Sequence, residues 1–161
     1  MHFYDAFPTE KKALYPLLEK QMAALMEGED NKIANLANAS ALLWLGLREI
    51  NWAGFYLLRE EELVLGPFQG KPACIRIPVG RGVCGTAVMT GKTQLVTDVH
   101  AFPGHIACDE ASRSEIVIPL FAKERLVGVL DIDSPKLARF DKEDQQGLEV
   151  FAKVLTAGCK W

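Results

Sequence analysis

The sequence predicts an α+β fold in which helices pack on an antiparallel sheet. Three observations support this prediction. Segments with apolar side chains at helical spacing lie near both ends of the chain, short alternating segments fill the middle, and tight turns join most neighbouring segments. Tight turns join antiparallel strands, whereas parallel strands need long crossovers. With 161 residues, we expect one domain, 1–161, with an N-terminal helical hairpin (1–48), a sheet with its loops (49–140) and a C-terminal helix (141–161).

Three long helices are predicted. Apolar side chains recur at helical spacing over Glu10–Met26 and again over Asn31–Leu47. Pro16 lies inside the first of these segments, where a proline removes a backbone hydrogen bond and favours a kink or a split. The last helix is expected to begin at Asp141, because aspartate caps helix N-termini and acidic residues follow it in the first turn.

The middle of the chain has the pattern of short strands. We expect strands over 50–58, 74–78, 94–96, 115–121 and 125–132, a return strand that starts at 63–65, and a short helix over 83–90. The segment from Asp98 to Ser114 contains Pro103 and Gly104 and has no predicted helix or strand. A loop of this length inside a domain is usually functional or mobile.

Composition excludes several classes of function. The net charge is −3 and no cluster of Lys and Arg is present, which argues against a nucleic-acid partner. No segment approaches the ~18 apolar residues of a membrane span, and the N-terminus lacks the pattern of a signal peptide. We therefore expect a cytoplasmic protein with no membrane partner, in which cysteines are normally reduced.

Three of the four cysteines, Cys74, Cys84 and Cys108, fall within one glycine-rich stretch, 70–109. Their spacing contains no C-x-x-C pair, so no metal site is predicted, although Cys108 with His105 or His100 would offer two zinc ligands. A single free cysteine is most often a small buried apolar side chain.

Local features rank the cysteines as candidate nucleophiles. Cys84 opens a predicted helix just after Arg81, and both a helix N-terminus and a nearby arginine favour the thiolate. Cys108 lies in the long loop between His105 and Asp109 and ranks second. Cys159 lies close to the C-terminus and is given no role.

Acidic and aromatic residues form a second group of candidates. Asp131 and Asp133 share one face of a predicted strand, and Glu115 begins the strand expected to pair with it. The three carboxylates could hold an ammonium group or a hard metal ion, or they could line a solvated sheet edge. Trp52 and Tyr56 share one face of another strand, where they could pack in a core or enclose a small ligand.

Six motifs occur in order along the chain: NWAGFY (51–56), LGPFQGKPAC (65–74), GRGVCG (80–85), HIACD (105–109), SRSE (112–115) and GVLDIDS (128–134). Together they resemble the free methionine-(R)-sulfoxide reductase family, which is a stand-alone GAF-domain enzyme. The resemblance runs from about Ile33 to the C-terminal helix and includes all three cysteines of the stretch. It implies a GAF-like fold, with an antiparallel sheet and helices packed on it.

The resemblance also implies roles for the cysteines. Cys108 would attack the sulfoxide, Cys74 would resolve the resulting sulfenic acid by forming a disulfide, and Cys84 would be an auxiliary thiol in or near the pocket. This order overrules the local ranking, in which Cys84 came first. The disulfide would be reduced by thioredoxin, and no cofactor is expected.

The resemblance further implies how the substrate is bound. Glu115, Asp131 and Asp133 would bind the polar groups of free methionine-(R)-sulfoxide, and Trp52 and Tyr56 would surround its methyl-sulfinyl end. Expected partners are this substrate and thioredoxin, with a homodimer as an open alternative. The competing hypothesis is a non-catalytic GAF sensor that binds a small ligand; such a sensor is expected to carry an output domain, and none is predicted here.

Overall fold

The computed structural model describes residues 7–106 and 108–161, and its centre is a six-stranded sheet. The strands are β1 (Trp52–Arg59), β2 (Glu62–Gly70), β3 (Arg76–Pro78), β4 (Gln94–Val96), β5 (Ser114–Ala122) and β6 (Arg125–Ser134). Their order in the sheet is β3-β2-β1-β6-β5-β4, and every pair of neighbours is antiparallel. The predicted α+β class with an antiparallel sheet is confirmed.

In the part of the chain that the structure describes, four helices accompany the sheet: α1 (Lys11–Leu25), α2 (Lys32–Gly46), α3 (Gly82–Thr90) and α4 (Lys142–Ala157). A single turn of 3-10 helix, Val99–Ala101, interrupts the long loop that was predicted between β4 and β5. In the described residues, no helix combines the length and the apolar character that crossing a membrane requires.

The predicted ends of α1, α2 and α3 and the start of α4 agree with the structure to within one residue, whereas α4 ends at Ala157 and not at 161. Helix α1 passes through Pro16 without a break, because Leu14, Leu18 and Met22 anchor the helix in the core on both sides of the proline. Asp141 caps α4 as expected: its side chain accepts hydrogen bonds from the backbone N–H groups of Glu143 and Asp144.

The two faces of the sheet have different cores. Phe55, Leu57, Ile116 and Ile118 point to the face covered by α1, α2 and α4, where the larger core lies. The alternate side chains, among them Trp52, Tyr56 and Val117, point to the opposite face and pack with α3 in a smaller core. The candidate functional residues lie on this second face.

Candidate active site

A cavity of about 40 Å³ lies between α3 and the second face of the sheet. We call it the acidic pocket. It is lined by all eight candidate site residues except Cys74: Trp52, Tyr56, Cys84, Cys108, Glu115, Asp131 and Asp133. Ala73, which precedes Cys74, also lines it. The chain therefore brings together at one place residues that are up to 81 positions apart in the sequence (133 − 52).

A disulfide joins Cys74 and Cys108 at the edge of the acidic pocket. Their Cα atoms are 5.9 Å apart, which lies within the range that a disulfide requires. Cys74 belongs to the segment between β2 and β3, so it precedes the observed strand, whereas the sequence predicted a strand from 74. Cys108 belongs to the long loop before β5. The bond thus ties two loops together across the pocket.

Side chains from β1 hold the segment that carries Cys74. The Trp52 indole Nε1 donates a hydrogen bond to the carbonyl oxygen of Lys71 (3.1 Å), and the Tyr56 hydroxyl donates one to that of Cys74 (2.9 Å). The two rings stack with their centroids 5.9 Å apart. Gly70 allows the chain to turn here, because it has a φ of 129° and its Cβ position would lie 2.7 Å from the Trp52 ring.

The three carboxyl groups come together because β5 and β6 are paired. Glu115 lies opposite Asp133, and Val117 lies opposite Asp131. Glu115 is 5% exposed and Asp131 6% exposed, so these two are not part of a solvated sheet edge. Burial raises the pKa of Glu115 well above its usual value, and the charge of Asp133 adds to the effect.

The same causes act on the two aspartates. Burial raises the pKa of Asp131, with a further contribution from the charge of Glu115. Burial likewise raises the pKa of Asp133, and the charges of Asp131 and Asp109 raise it further. Closely spaced buried carboxyls cannot all ionise without a cation, so the pocket favours either protonated acids or a bound positive group.

Cys84 lies in the first turn of α3, as predicted, but its surroundings do not favour the thiolate. Its side chain is buried, and its sulfur lies 4.0 Å from Glu115 Oε1. Burial raises the pKa of the Cys84 thiol, and the charges of Asp131 and Glu115 raise it further. The groups around Cys84 in space therefore favour the thiol, whereas the helix N-terminus and Arg81 favour the thiolate.

The sequence did not predict Asn51, Asp109 and Ser112 as site residues, and it offered His105 only as a possible zinc ligand. His105 lines the pocket with its Nε2 3.7 Å from Glu115 Oε2, and burial lowers the pKa of the imidazole. The Asn51 amide Nδ2 donates to Asp109 Oδ2 (3.2 Å) and to the Ser112 hydroxyl (3.1 Å), which anchors the loop after Cys108. The only signal in the sequence was their position within or beside the six motifs.

One group of possible metal ligands is found among the described residues. The ligand atoms of Cys84, Glu115 and Asp131 all lie within 4.8 Å of one another, and all three residues are buried. The pair considered from the sequence, Cys108 with a histidine, does not offer this arrangement, since Cys108 is in the disulfide.

The known proteins similar to this chain include GAF-domain proteins and free methionine-R-sulfoxide reductases. The family profile of the GAF domain matches residues 39–157. The free methionine-R-sulfoxide reductase of Escherichia coli is 61% identical over 138 residues, which cover 86% of this chain and 84% of that protein.

Two similar solved structures cover nearly the whole chain. The free methionine-R-sulfoxide reductase of Neisseria meningitidis, solved in complex with its substrate, has a TM-score of 0.93 and 48% identity, covering 98% of this chain and 95% of that one. The reduced form of fRMsr of Staphylococcus aureus has a TM-score of 0.87 and 56% identity, covering 89% and 94%. The fold is therefore the GAF fold, and the chain belongs to the free methionine-R-sulfoxide reductase family of GAF-domain proteins.

Proposed function

We propose that this protein reduces free methionine-(R)-sulfoxide to methionine, with Cys108 as the nucleophile, Cys74 as the resolving cysteine and thioredoxin as the reductant. The observation that carries the proposal is the Cys74–Cys108 disulfide at the edge of a pocket with three carboxyl groups. A thiol pair that can close a disulfide supplies two electrons, which is what reduction of a sulfoxide requires. The relatives named above support the substrate.

The acidic pocket suits a free amino acid. The substrate carries an α-ammonium group, and Glu115, Asp131 and Asp133 would receive it, because a cation relieves the repulsion among buried carboxylates. A methionine sulfoxide inside a polypeptide has no α-ammonium group. Trp52 and Tyr56 would contact the methyl-sulfinyl end, since aromatic faces pack well against sulfur groups.

The first chemical step consumes one proton. The Cys108 thiolate attacks the sulfoxide sulfur, the sulfoxide oxygen takes a proton, and methionine leaves while Cys108 becomes a sulfenic acid. A carboxyl group that stays protonated is a suitable donor, because oxide is a poor leaving group. Glu115 is the candidate for this role, since burial raises its pKa.

The second step forms the disulfide. The Cys74 sulfur attacks the sulfenic sulfur of Cys108, the hydroxyl leaves as water with the thiol proton, and the S–S bond forms. The dithiol of thioredoxin then reduces this bond by thiol–disulfide exchange and is itself oxidised. Cys84 would serve as an auxiliary thiol in the pocket rather than as the first nucleophile.

A substrate comparison tests the proposal. The reduced protein is incubated with the free R epimer, the free S epimer, and a peptide that contains methionine sulfoxide, and the reduced methionine is measured with thioredoxin recycling. We expect turnover of the free R epimer only. Equal turnover of the peptide, or preference for the S epimer, would contradict the proposed substrate.

Thiol titration separates the enzyme from a non-catalytic sensor. After one equivalent of free methionine-(R)-sulfoxide is added to the reduced protein without reductant, we expect about two thiols per chain to be lost. A sensor would bind the compound and keep all its thiols.

A further inference from the structure

We propose that Cys84, Glu115 and Asp131 form a binding site for one divalent cation of the zinc class in the floor of the acidic pocket. The donor atoms of these three residues lie within 4.8 Å of one another, and Cys84 Sγ is 4.0 Å from Glu115 Oε1. Zinc bound at about 2.3 Å to sulfur and about 2.0 Å to oxygen places such donors about 3.5 Å apart. Rotation of these three side chains toward one another would close the difference.

An unsatisfied buried oxygen supports a cation at this place. Asp131 is 6% exposed and lines the pocket, and its Oδ1 has no hydrogen-bond partner among the residues that the structure describes. A buried carboxylate oxygen without a partner is costly, and native proteins rarely leave one. A bound cation gives this oxygen a ligand bond; without a cation, the Asp131 carboxyl is served only by a proton held on Glu115 or on the Cys84 thiol.

The charge of the cluster also suits a divalent ion. When all three donors are ionised they carry three negative charges, which a divalent ion reduces to one. The donors lie close enough for their negative charges to repel one another, and a divalent ion relieves that repulsion. The further charged or titratable groups of the lining are Arg81 and Lys71, which are exposed, together with Tyr56, Asp109, Asp133 and His105.

The chemical types of the three donor atoms favour some metal ions over others. A thiolate with carboxylates favours zinc or cobalt, whereas magnesium and calcium take oxygen ligands. The cavity of about 40 Å³ has room for one ion with a water ligand. His105 Nε2 lies 3.7 Å from Glu115 Oε2, beyond hydrogen-bond distance, and is not one of the proposed donors. Since these carboxyls would also receive the substrate ammonium, ion and substrate exclude one another.

Cobalt is the probe for the test, because a thiolate bound to Co²⁺ gives a charge-transfer absorption band. The metal-free disulfide form of the Cys159→Ser variant is titrated with Co²⁺. In this form Cys84 is the one free thiol of the four cysteines in the sequence. We expect a band that saturates at one Co²⁺ per chain, and Zn²⁺ but not Mg²⁺ should remove it.

Variants in the same background assign the ligands. Cys84→Ser should abolish the band, and Asp131→Asn should weaken Co²⁺ binding in calorimetry by at least about 100-fold, because loss of even an outer partner costs about 10- to 100-fold. Glu110→Gln removes an exposed carboxylate of the neighbouring loop and should leave Co²⁺ binding unchanged.

Absence of a band in the Cys159→Ser protein, or a band that persists after Cys84→Ser, would contradict the proposed cation site. Unchanged Co²⁺ affinity in the folded Asp131→Asn variant would also overturn it. The readout is cobalt absorption and not methionine release. Failure of this site is therefore distinguishable from failure of the proposed reductase activity.

Discussion

At the scale of single residues, burial decides which acids keep their protons. Glu115 and Asp131 are almost fully buried, and Cys84 lies against them, so the pKa of each group is raised. A raised pKa disfavours the thiolate, so Cys84 is not placed to be the attacking group. Cys108 lies instead on an exposed part of the pocket edge, where solvent and substrate can reach it.

Replacing the proposed nucleophile should stop the first step. We expect Cys108→Ser to lower methionine release in a single turnover by more than about 1000-fold, because a serine hydroxyl does not replace a thiolate as nucleophile. Quench-flow measurement of methionine checks this, with Cys159→Ser as the matched control that should behave as the wild type. Release at the normal rate from Cys108→Ser would refute its role.

Replacing the proposed resolving cysteine should have a different effect. Cys74→Ser should release one methionine per chain at a near-normal rate and then recycle poorly with thioredoxin, unless Cys84 substitutes as the resolving thiol. The Cys74→Ser/Cys84→Ser double variant removes both candidates. If this double variant recycled like the wild type, neither cysteine would be the resolving residue.

Replacing one carboxyl should weaken substrate binding. Asp133→Asn keeps the size of the side chain and removes its charge, so we expect KM for free methionine-(R)-sulfoxide to rise about 10- to 100-fold. A hydrogen bond to a charged group contributes about 1.5–3 kcal/mol, and about 1.4 kcal/mol is a factor of ten. Asp98→Asn, at an exposed aspartate, is the control. An unchanged KM and kcat would remove Asp133 from the site.

At the scale of elements, strand β1 connects the pocket to the loop that carries Cys74. Its Trp52 and Tyr56 side chains line the pocket with their rings and hold the Lys71–Cys74 segment with their polar ends. These residues therefore do more than enclose a ligand, which was their predicted role. They also fix where the proposed resolving cysteine lies.

Loss of one of these hydrogen bonds should slow disulfide formation. Tyr56→Phe keeps the ring and removes the bond to the Cys74 carbonyl oxygen, a loss of about 1 kcal/mol. We expect the loss of the second thiol, followed by stopped flow, to slow about five-fold while methionine release changes less. Tyr15→Phe removes a buried hydroxyl that donates to Asp144, far along the chain from the pocket, and should not affect this step. Equal slowing in both variants would contradict the positioning role.

At the scale of the whole molecule, the two faces of the sheet have different roles. One face carries most of the apolar core that stabilises the fold, and the other carries the proposed active site. Helices α1, α2 and α4 cover one face with the larger apolar core, and the other face carries the acidic pocket under α3. Buried polar groups on the second face cost stability, which the larger core offsets.

The disulfide should itself contribute to stability. It closes a loop of 34 residues, for which chain entropy gives about 3–4 kcal/mol. We expect the oxidised protein to melt about 10 °C above the Cys74→Ser/Cys108→Ser variant, since about 1 kcal/mol corresponds to about 2–4 °C at this size. Differential scanning calorimetry, with Cys159→Ser as the control, measures this difference. Equal melting temperatures would show that the loops are held by other contacts.

The sequence predicted the secondary structure well, because apolar periodicity and caps are local. The helix over Lys11–Leu25, the cap at Asp141 and the pairing of Glu115 with Asp133 all followed from spacing. The end of β2 was not predicted. This strand continues through Pro67, beyond the residues that pair with β3, so the missing N–H of the proline removes no hydrogen bond to β3.

The protonation of the site could not be predicted from local sequence. Cys84 and Glu115 are 31 residues apart, and only the folded sheet brings their side chains together. The features beside Cys84 in the chain favour a thiolate, whereas the groups beside it in space favour a thiol. The zinc-type arrangement with Asp131 escaped detection for the same reason, since its spacing matches no short motif.

The disulfide across the pocket has a consequence for a cell that contains this protein. If Cys74 and Cys108 close after each turnover, every molecule stops until a reductant meets it, because the disulfide leaves no thiolate on Cys108 to attack the next sulfoxide. The oxidised fraction of the protein then reports the ratio between the supply of oxidised methionine and the supply of electrons. A gel-shift assay of its thiols in living cells would measure this oxidised fraction.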